Sequence, residues 1–156
     1  MPETPTSITG GCLCEALRYK ITFPPNHDFA KASSTCQCSQ CRKQTGSLIF
    51  RVHRIPRSAL TYTSDRALKR YSASPDCYRT FCGDCGSLLT WDGDKTDVVS
   101  VCVGTFDADV LRQHGPLLTD ARRHLFCGEE IAGVTDHLKG EKWVADNDGE
   151  DAVKMQ

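Results

Sequence analysis

Three groups of cysteines carry the chemistry legible in this sequence. Ten of its 156 residues are cysteine. Cys12-Leu13-Cys14 is a C-x-C pair, Cys82-Gly83-Asp84-Cys85-Gly86 is a C-x2-C-G knuckle, and Cys36-Gln37-Cys38-Ser39-Gln40-Cys41 overlaps both spacings. In an extended segment residues i and i+2 point to the same side, so C-x-C offers two sulfurs to one ion. In the knuckle, Gly86 can take the positive φ that curls the chain around a metal. Zn–S bonds are about 2.3 Å, so the sulfurs of a tetrahedral site lie within about 4 Å of one another. Cys12, Cys14, Cys82 and Cys85 thus predict a closed, structural zinc site. With roughly 70 residues between its two halves, the ion acts as a long-range cross-link.

Cys36, Cys38 and Cys41 place three sulfurs within six residues. Three protein ligands with an open fourth position is the arrangement of a catalytic zinc, whose open position takes water, a thiol or a carbonyl oxygen. The alternative is a second closed site, completed by Cys77, Cys102, Cys127 or a histidine, and the spacing leaves both standing. Arg42 and Lys43 follow at once. Their charge offsets thiolates and can attract an anionic ligand, or else they belong to a solvated turn. Cys102 lies in the apolar run Val98-Val99-Ser100-Val101-Cys102-Val103 and reads as a small buried hydrophobe. Cys77 reads as a free thiol, and Cys127 as a minor candidate for a fourth ligand.

The rest of the composition limits where such sites can work. The chain is 39% hydrophobic and 25% charged, with a formal net charge of -1, as expected of one soluble globular domain. That balance offers no electrostatic reason to expect nucleic acid or an anionic membrane as partner. The opening residues MPETPTSITG have neither the basic nor the apolar region of a signal peptide, and no stretch approaches the 18 or so apolar residues of a membrane span. The expectation is a cytoplasmic or nuclear protein whose thiols stay reduced and whose clustered cysteines hold metal. His27, His53, His114, His124 and His137 are scattered without metal-binding spacing, and no nucleotide-binding glycine motif or G-x-S-x-G elbow is present.

The elements that must position these cysteines read as short strands. Residues 16–23, 47–53, 59–63, 78–81, 87–91 and 98–103 are apolar or alternating, and their ends are marked by Pro24-Pro25, Pro56, Ser74-Pro75, Gly83, Asp92-Gly93 and Gly104. Residues 39–45 suit one helical turn, with Ser39 as N-cap and Gly46 closing it. No long segment carries a helical period. Short strands at this spacing predict an all-β domain, sandwich or barrel-like, of antiparallel sheets with at most short helical turns. The domain is expected over residues 1–135, followed by a mobile polar tail over residues 136–156.

Gly11-Cys12-Leu13-Cys14-Glu15, Cys36-Gln37-Cys38-Ser39-Gln40-Cys41-Arg42-Lys43, Gly46-Ser47 and Phe81-Cys82-Gly83-Asp84-Cys85-Gly86-Ser87 together resemble the CENP-V/GFA domain, the glutathione-dependent formaldehyde-activating enzyme family. The resemblance covers about residues 9–124. It implies a tent-like, all-β fold clipped by zinc on Cys12, Cys14, Cys82 and Cys85, and a second, catalytic-type zinc on Cys36, Cys38 and Cys41. It also implies a carbon–sulfur lyase-type reaction in which glutathione or a similar small thiol adds to formaldehyde. His124, followed by Leu125, matches a histidine of the family, whereas Glu129-Glu130-Ile131-Ala132-Gly133 departs from the Lys and Trp expected there.

Two functional readings follow. In the enzyme reading, Arg42, Lys43, Ser47 and His124 orient a small anionic substrate at the second zinc. In the other, both zincs are structural and the β-surface is a binding module for a protein partner.

Overall fold

The computed structural model describes residues 3–156. Among these residues, eleven strands form two sheets. β1 (Ser7–Gly11), β2 (Leu17–Thr22) and β5 (Leu60–Asp65) make a three-stranded antiparallel sheet in the order β1-β2-β5. The larger sheet has eight strands in the order β11-β10-β3-β4-β9-β8-β7-β6. Its members are β3 (Ser33–Cys36), β4 (Phe50–Pro56), β6 (Leu68–Ser74), β7 (Cys77–Cys82), β8 (Leu88–Gly93), β9 (Val98–Cys102), β10 (Arg123–Leu125) and β11 (Glu141–Lys142). Pairing in it is antiparallel except around β10, which runs parallel to both β3 and β11. The sheets stay open and pack on each other instead of closing into a barrel.

Alternation explains which faces meet. Leu17, Tyr19 and Ile21 of β2 are buried while Lys20 and Thr22 are exposed. They pack with Ile8, Phe23, Ile55, Leu89, Val99, Val101 and Phe106 in one core between the sheets, and Cys12 and Cys82 belong to the same core. A fully buried side chain of this size contributes about 1.5–3 kcal/mol.

Helices are three. α1 (Phe29–Ala32) is one turn, and α2 (Ser39–Thr45) is the predicted turn after Cys38. α3 (Ala108–Thr119) runs twelve residues and corrects the expectation of short helical turns only. It begins beside Asp107, whose carboxylate is held by Arg18 at 2.6–2.8 Å, and it carries Pro116 inside its last turns. The run from 136, expected as a mobile tail, is hydrogen-bonded to the body. The amides of Phe126, Cys127 and Gly128 donate to the carbonyls of Ala145, Trp143 and Val144 at 2.8–3.0 Å. Among the described residues no helix is long and apolar enough to cross a membrane.

A histidine pair, His53 buried and His27 half-buried, ties α3 to the large sheet. His53 Nδ1 lies 3.1 Å from the Leu118 carbonyl and 2.9 Å from Ser33 Oγ, and its Nε2 lies 2.9 Å from His27 Nε2. Because Nδ1 donates to the carbonyl, Nε2 accepts from His27. Phe23, Phe29 and Phe106 surround the rings. Burial first, and the neighbouring His27 second, push His53 down to about 4. A folded value below the unfolded value of 6.5 means that the unfolded chain binds the proton more readily. The stabilisation is therefore complete above pH 6.5 and is lost as pH falls towards 4, by roughly 3 kcal/mol. Urea unfolding across that range should show this loss, and His53→Gln should flatten it; an unchanged slope in the variant would refute the assignment.

Candidate functional site

The first cysteine cluster is built where the β1–β2 connection meets the β7–β8 turn. Cys12, Cys14, Cys82 and Cys85 bring their sulfurs within 4.8 Å of one another. Cys12 and Cys14 sulfurs are 3.6 Å apart, and those of Cys14 and Cys82 are 3.7 Å apart. Tetrahedral zinc with bonds of about 2.3 Å requires sulfur separations of about 3.8 Å, so the donor set fits that ion. Gly86 has φ 77°, and its amide donates to the Cys82 carbonyl at 2.9 Å, closing the knuckle as its sequence implied. Ser87 links the halves: its hydroxyl lies 3.2 Å from Cys85 Sγ and accepts from the Leu13 amide at 3.0 Å. The Ser87 hydroxyl, then the Ser87 and Cys14 amides, hold Cys85 down to about 5, which favours the thiolate a metal needs.

The second cluster forms where β3 ends and α2 begins. Cys36, Cys38 and Cys41 also lie within 4.8 Å of one another. Cys38, not Ser39, caps α2: its sulfur accepts from the Cys41 amide at 3.3 Å, and Gly46 at φ 69° ends the helix. Hydrogen bonds from Cys36 and Cys41 hold Cys38 far below the ordinary thiol range, helped by the Cys41 and Gln40 amides, and the same crowding pushes Cys36 up. Three sulfurs this close favour a shared soft cation over three protons. All ten cysteines are free of disulfides.

This cluster opens into a cavity of about 280 Å³. Phe50, Val52, Trp91, Leu125 and Phe126 supply its apolar wall, and Arg54, Arg79, Ser34 and Ser100 its polar one. Cys77 lines the cavity outside the cluster, and Asp146, Asn147 and Asp148 reach its rim from the folded-back C-terminal run. Cys102 packs against Cys41, Phe50 and Val52 as an apolar neighbour. Cys127 is buried, with its thiol directed at the His124 carbonyl 3.5 Å away, and belongs to neither cluster.

The charged and polar candidates fall elsewhere. Arg42, Lys43 and Ser47 do not line the cavity. Lys43 is exposed on α2, and the exposed Ser47 donates from its hydroxyl to the Ile49 carbonyl at 3.0 Å within the next turn. His124 is 1% exposed and has both ring nitrogens engaged. Nε2 donates to the Lys139 carbonyl at 3.0 Å, and Nδ1 accepts from Thr35 at 2.8 Å. Burial lowers its pKa, so it is a neutral strut between β10, β3 and the segment before β11. The cavity's own cations, Arg54 and Arg79, were not singled out from sequence. Arg54 was within reach, since Phe50, Val52 and Arg54 alternate along one face of β4. Arg79 carried no such signal.

Fold and site together define a mostly β protein with two metal-competent cysteine clusters, one closed within the fold and one facing a cavity. The chain belongs to the glutathione-dependent formaldehyde-activating enzyme family, whose model matches residues 7–129. A crystal structure of a Rhodobacter sphaeroides protein is similar to it with a TM-score of 0.54 at 21% identity, covering 65% of this chain and 89% of that one. That likeness concerns the fold alone. No curated protein matches the sequence.

Proposed function

We propose that the protein catalyses the reversible addition of a small thiol, glutathione or a similar one, to an aldehyde, a carbon–sulfur lyase-type reaction. The observation that carries this reading is the three-cysteine cluster facing a cavity, with three sulfurs together where four would close a site. In the reaction the thiol sulfur bonds to the aldehyde carbon, and the thiol proton ends on the former carbonyl oxygen, giving a hydroxyalkyl thioether. Zinc held by Cys36, Cys38 and Cys41 would supply a Lewis-acid position that favours thiolate over thiol near neutral pH. The chain's own contribution is the setting. Phe50, Val52, Trp91 and Leu125 line the approach to the cluster with apolar surface, which strengthens electrostatic contacts inside. α2 fixes two of the three sulfurs, because its N-cap and its third residue are both ligands. The four-cysteine cluster, again suited to zinc, holds the β1–β2 hairpin against the large sheet and takes no part in the chemistry.

Exchange spectroscopy on 13C-labelled formaldehyde with glutathione tests the reading, since the adduct also forms without catalyst. The zinc-loaded protein should raise the exchange rate between free aldehyde and adduct at least about 100-fold over buffer. A rate equal to that of buffer, with both clusters loaded, would overturn it.

A further inference from the structure

The cavity above the three cysteines holds two guanidinium groups that no carboxylate of the fold pairs. Arg79, in the middle of β7, is only 3% exposed. Its Nη2 reaches Cys41 Sγ at 3.7 Å, whereas its Nη1 is buried with no hydrogen-bond partner. Arg54 stands half-buried on the same cavity wall. Among the described residues, none of the ion pairs within 4.0 Å includes either arginine. The acidic residues at the rim, Asp146 and Asp148, are exposed to water and do not pair with them. A buried charge normally comes with a partner, and a buried donor left unpaired is costly. In a cavity, that is the signature of a partner that arrives with the ligand.

Chemistry names the partner. A guanidinium is planar, always charged and matched to a carboxylate, which it grips through two parallel hydrogen bonds. Nη1 and Nη2 belong to one rigid group, so a carboxylate on Nη1 lies beside the Cys41 sulfur that Nη2 touches. A short acid can place its carboxylate there and its reacting group on the cluster.

We propose that Arg79, assisted by Arg54, is the carboxylate-binding residue of this cavity. Beside glutathione and a simple aldehyde, the site then accepts a short acid whose carboxylate stands one or two carbons from its thiol or carbonyl, a mercapto acid in place of the thiol or a 2-oxo acid in place of the aldehyde. The reacting groups rest on the function proposed above; the carboxylate contact rests on Arg79 alone.

Three probes separate the two ideas on the full-length protein with cobalt in both clusters: mercaptoacetate, 2-mercaptoethanol, and glycolate, which has no thiol. Binding is read by calorimetry, and contact with the metal by the thiolate-to-cobalt absorption. Mercaptoacetate should bind at least about tenfold tighter than 2-mercaptoethanol, the worth of one hydrogen bond to a charged group. Arg79→Gln should bring that ratio to about one, and Arg54→Gln should reduce it several-fold. Arg79→Lys, which keeps the charge and the packing, should retain part of the preference and serves if the glutamine variant does not fold. Equal affinities in the parent protein, or a ratio unchanged because Arg79→Gln weakens both thiols alike, would overturn the proposal and leave Arg79 a support for Cys41. If glycolate binds through Arg79 while neither thiol alters the cobalt spectrum, the carboxylate site stands and the thiol reaction falls. If both thiols alter it equally and glycolate does not bind, the reverse holds.

Discussion

Cys82→Ser should cost this protein about 4 kcal/mol of stability, much of what a domain of this size possesses. Cys82 is fully buried in the core and stands 68 residues after Cys14, whose sulfur it approaches at 3.7 Å. A cross-link across so long a loop removes roughly 4 kcal/mol of chain entropy from the unfolded state, and an ion bound on four sulfurs acts as such a link. Serine keeps the volume but not the soft donor, and it leaves a buried hydroxyl among three thiols. The melting temperature should fall by roughly 10 °C, and a strong chelator should produce a similar fall in the parent protein. Unfolding curves recorded with and without chelator decide the matter. A parent protein indifferent to chelation, with a Cys82→Ser variant as stable as the parent, would remove the metal clip from the account.

Cys38→Ser should behave in the opposite way, silencing the reaction while sparing the fold. Serine is among the preferred N-cap residues, so α2 keeps its start and the Cys41 amide keeps an acceptor. The cluster, however, drops to two sulfurs. Metal content should fall from two ions per chain to one, and the thiol–aldehyde exchange rate by at least about 100-fold, since even outer-shell changes at metal sites cost 10–100-fold. The melting temperature should stay within about 4 °C of the parent. Full exchange activity in a variant that has lost one ion would place the chemistry away from this cluster. A variant that unfolds would make the cluster structural and favour the binding-module reading.

The sequence was most legible where a short segment decides its own geometry. Cys36 to Gly46 folds as a local unit of strand end, cap, one helix and αL stop; its spacing pointed to the helix and to Gly46 as its end, but to Ser39 rather than Cys38 as the cap and to no strand before it. The strands over residues 17–22, 77–82 and 98–102 fell near their expected places because alternation and flanking turn residues survive in the chain. α3 was hidden because Gly115-Pro116 reads as a stop, yet Val110 and Leu118 are buried and packing carries the helix through both. β10 was equally hidden: three residues paired in parallel with β3, 89 positions away, leave no local trace. The cavity suffered most from this. Arg42 and Lys43 drew attention by adjacency to Cys41, but adjacency along a helix turns them away from the sulfurs. Arg79 reaches Cys41 from 38 residues off, and only the order of strands in the large sheet brings it there.

The place of β3 in that sheet also dictates an order of events during synthesis. Cys36, Cys38 and Cys41 emerge together, whereas Cys85 follows Cys41 by 44 residues, about 2–9 s at ordinary rates of translation. β3 gains β4 early but waits for residues 123–125 to cover its other edge, and β11 comes later still. Until then the nascent chain presents an open strand beside reactive thiols, the kind of edge that recruits neighbouring chains. Shortening the C-terminus therefore trims no ornament. It would leave the growing sheet unsealed, and the first symptom would be insoluble protein.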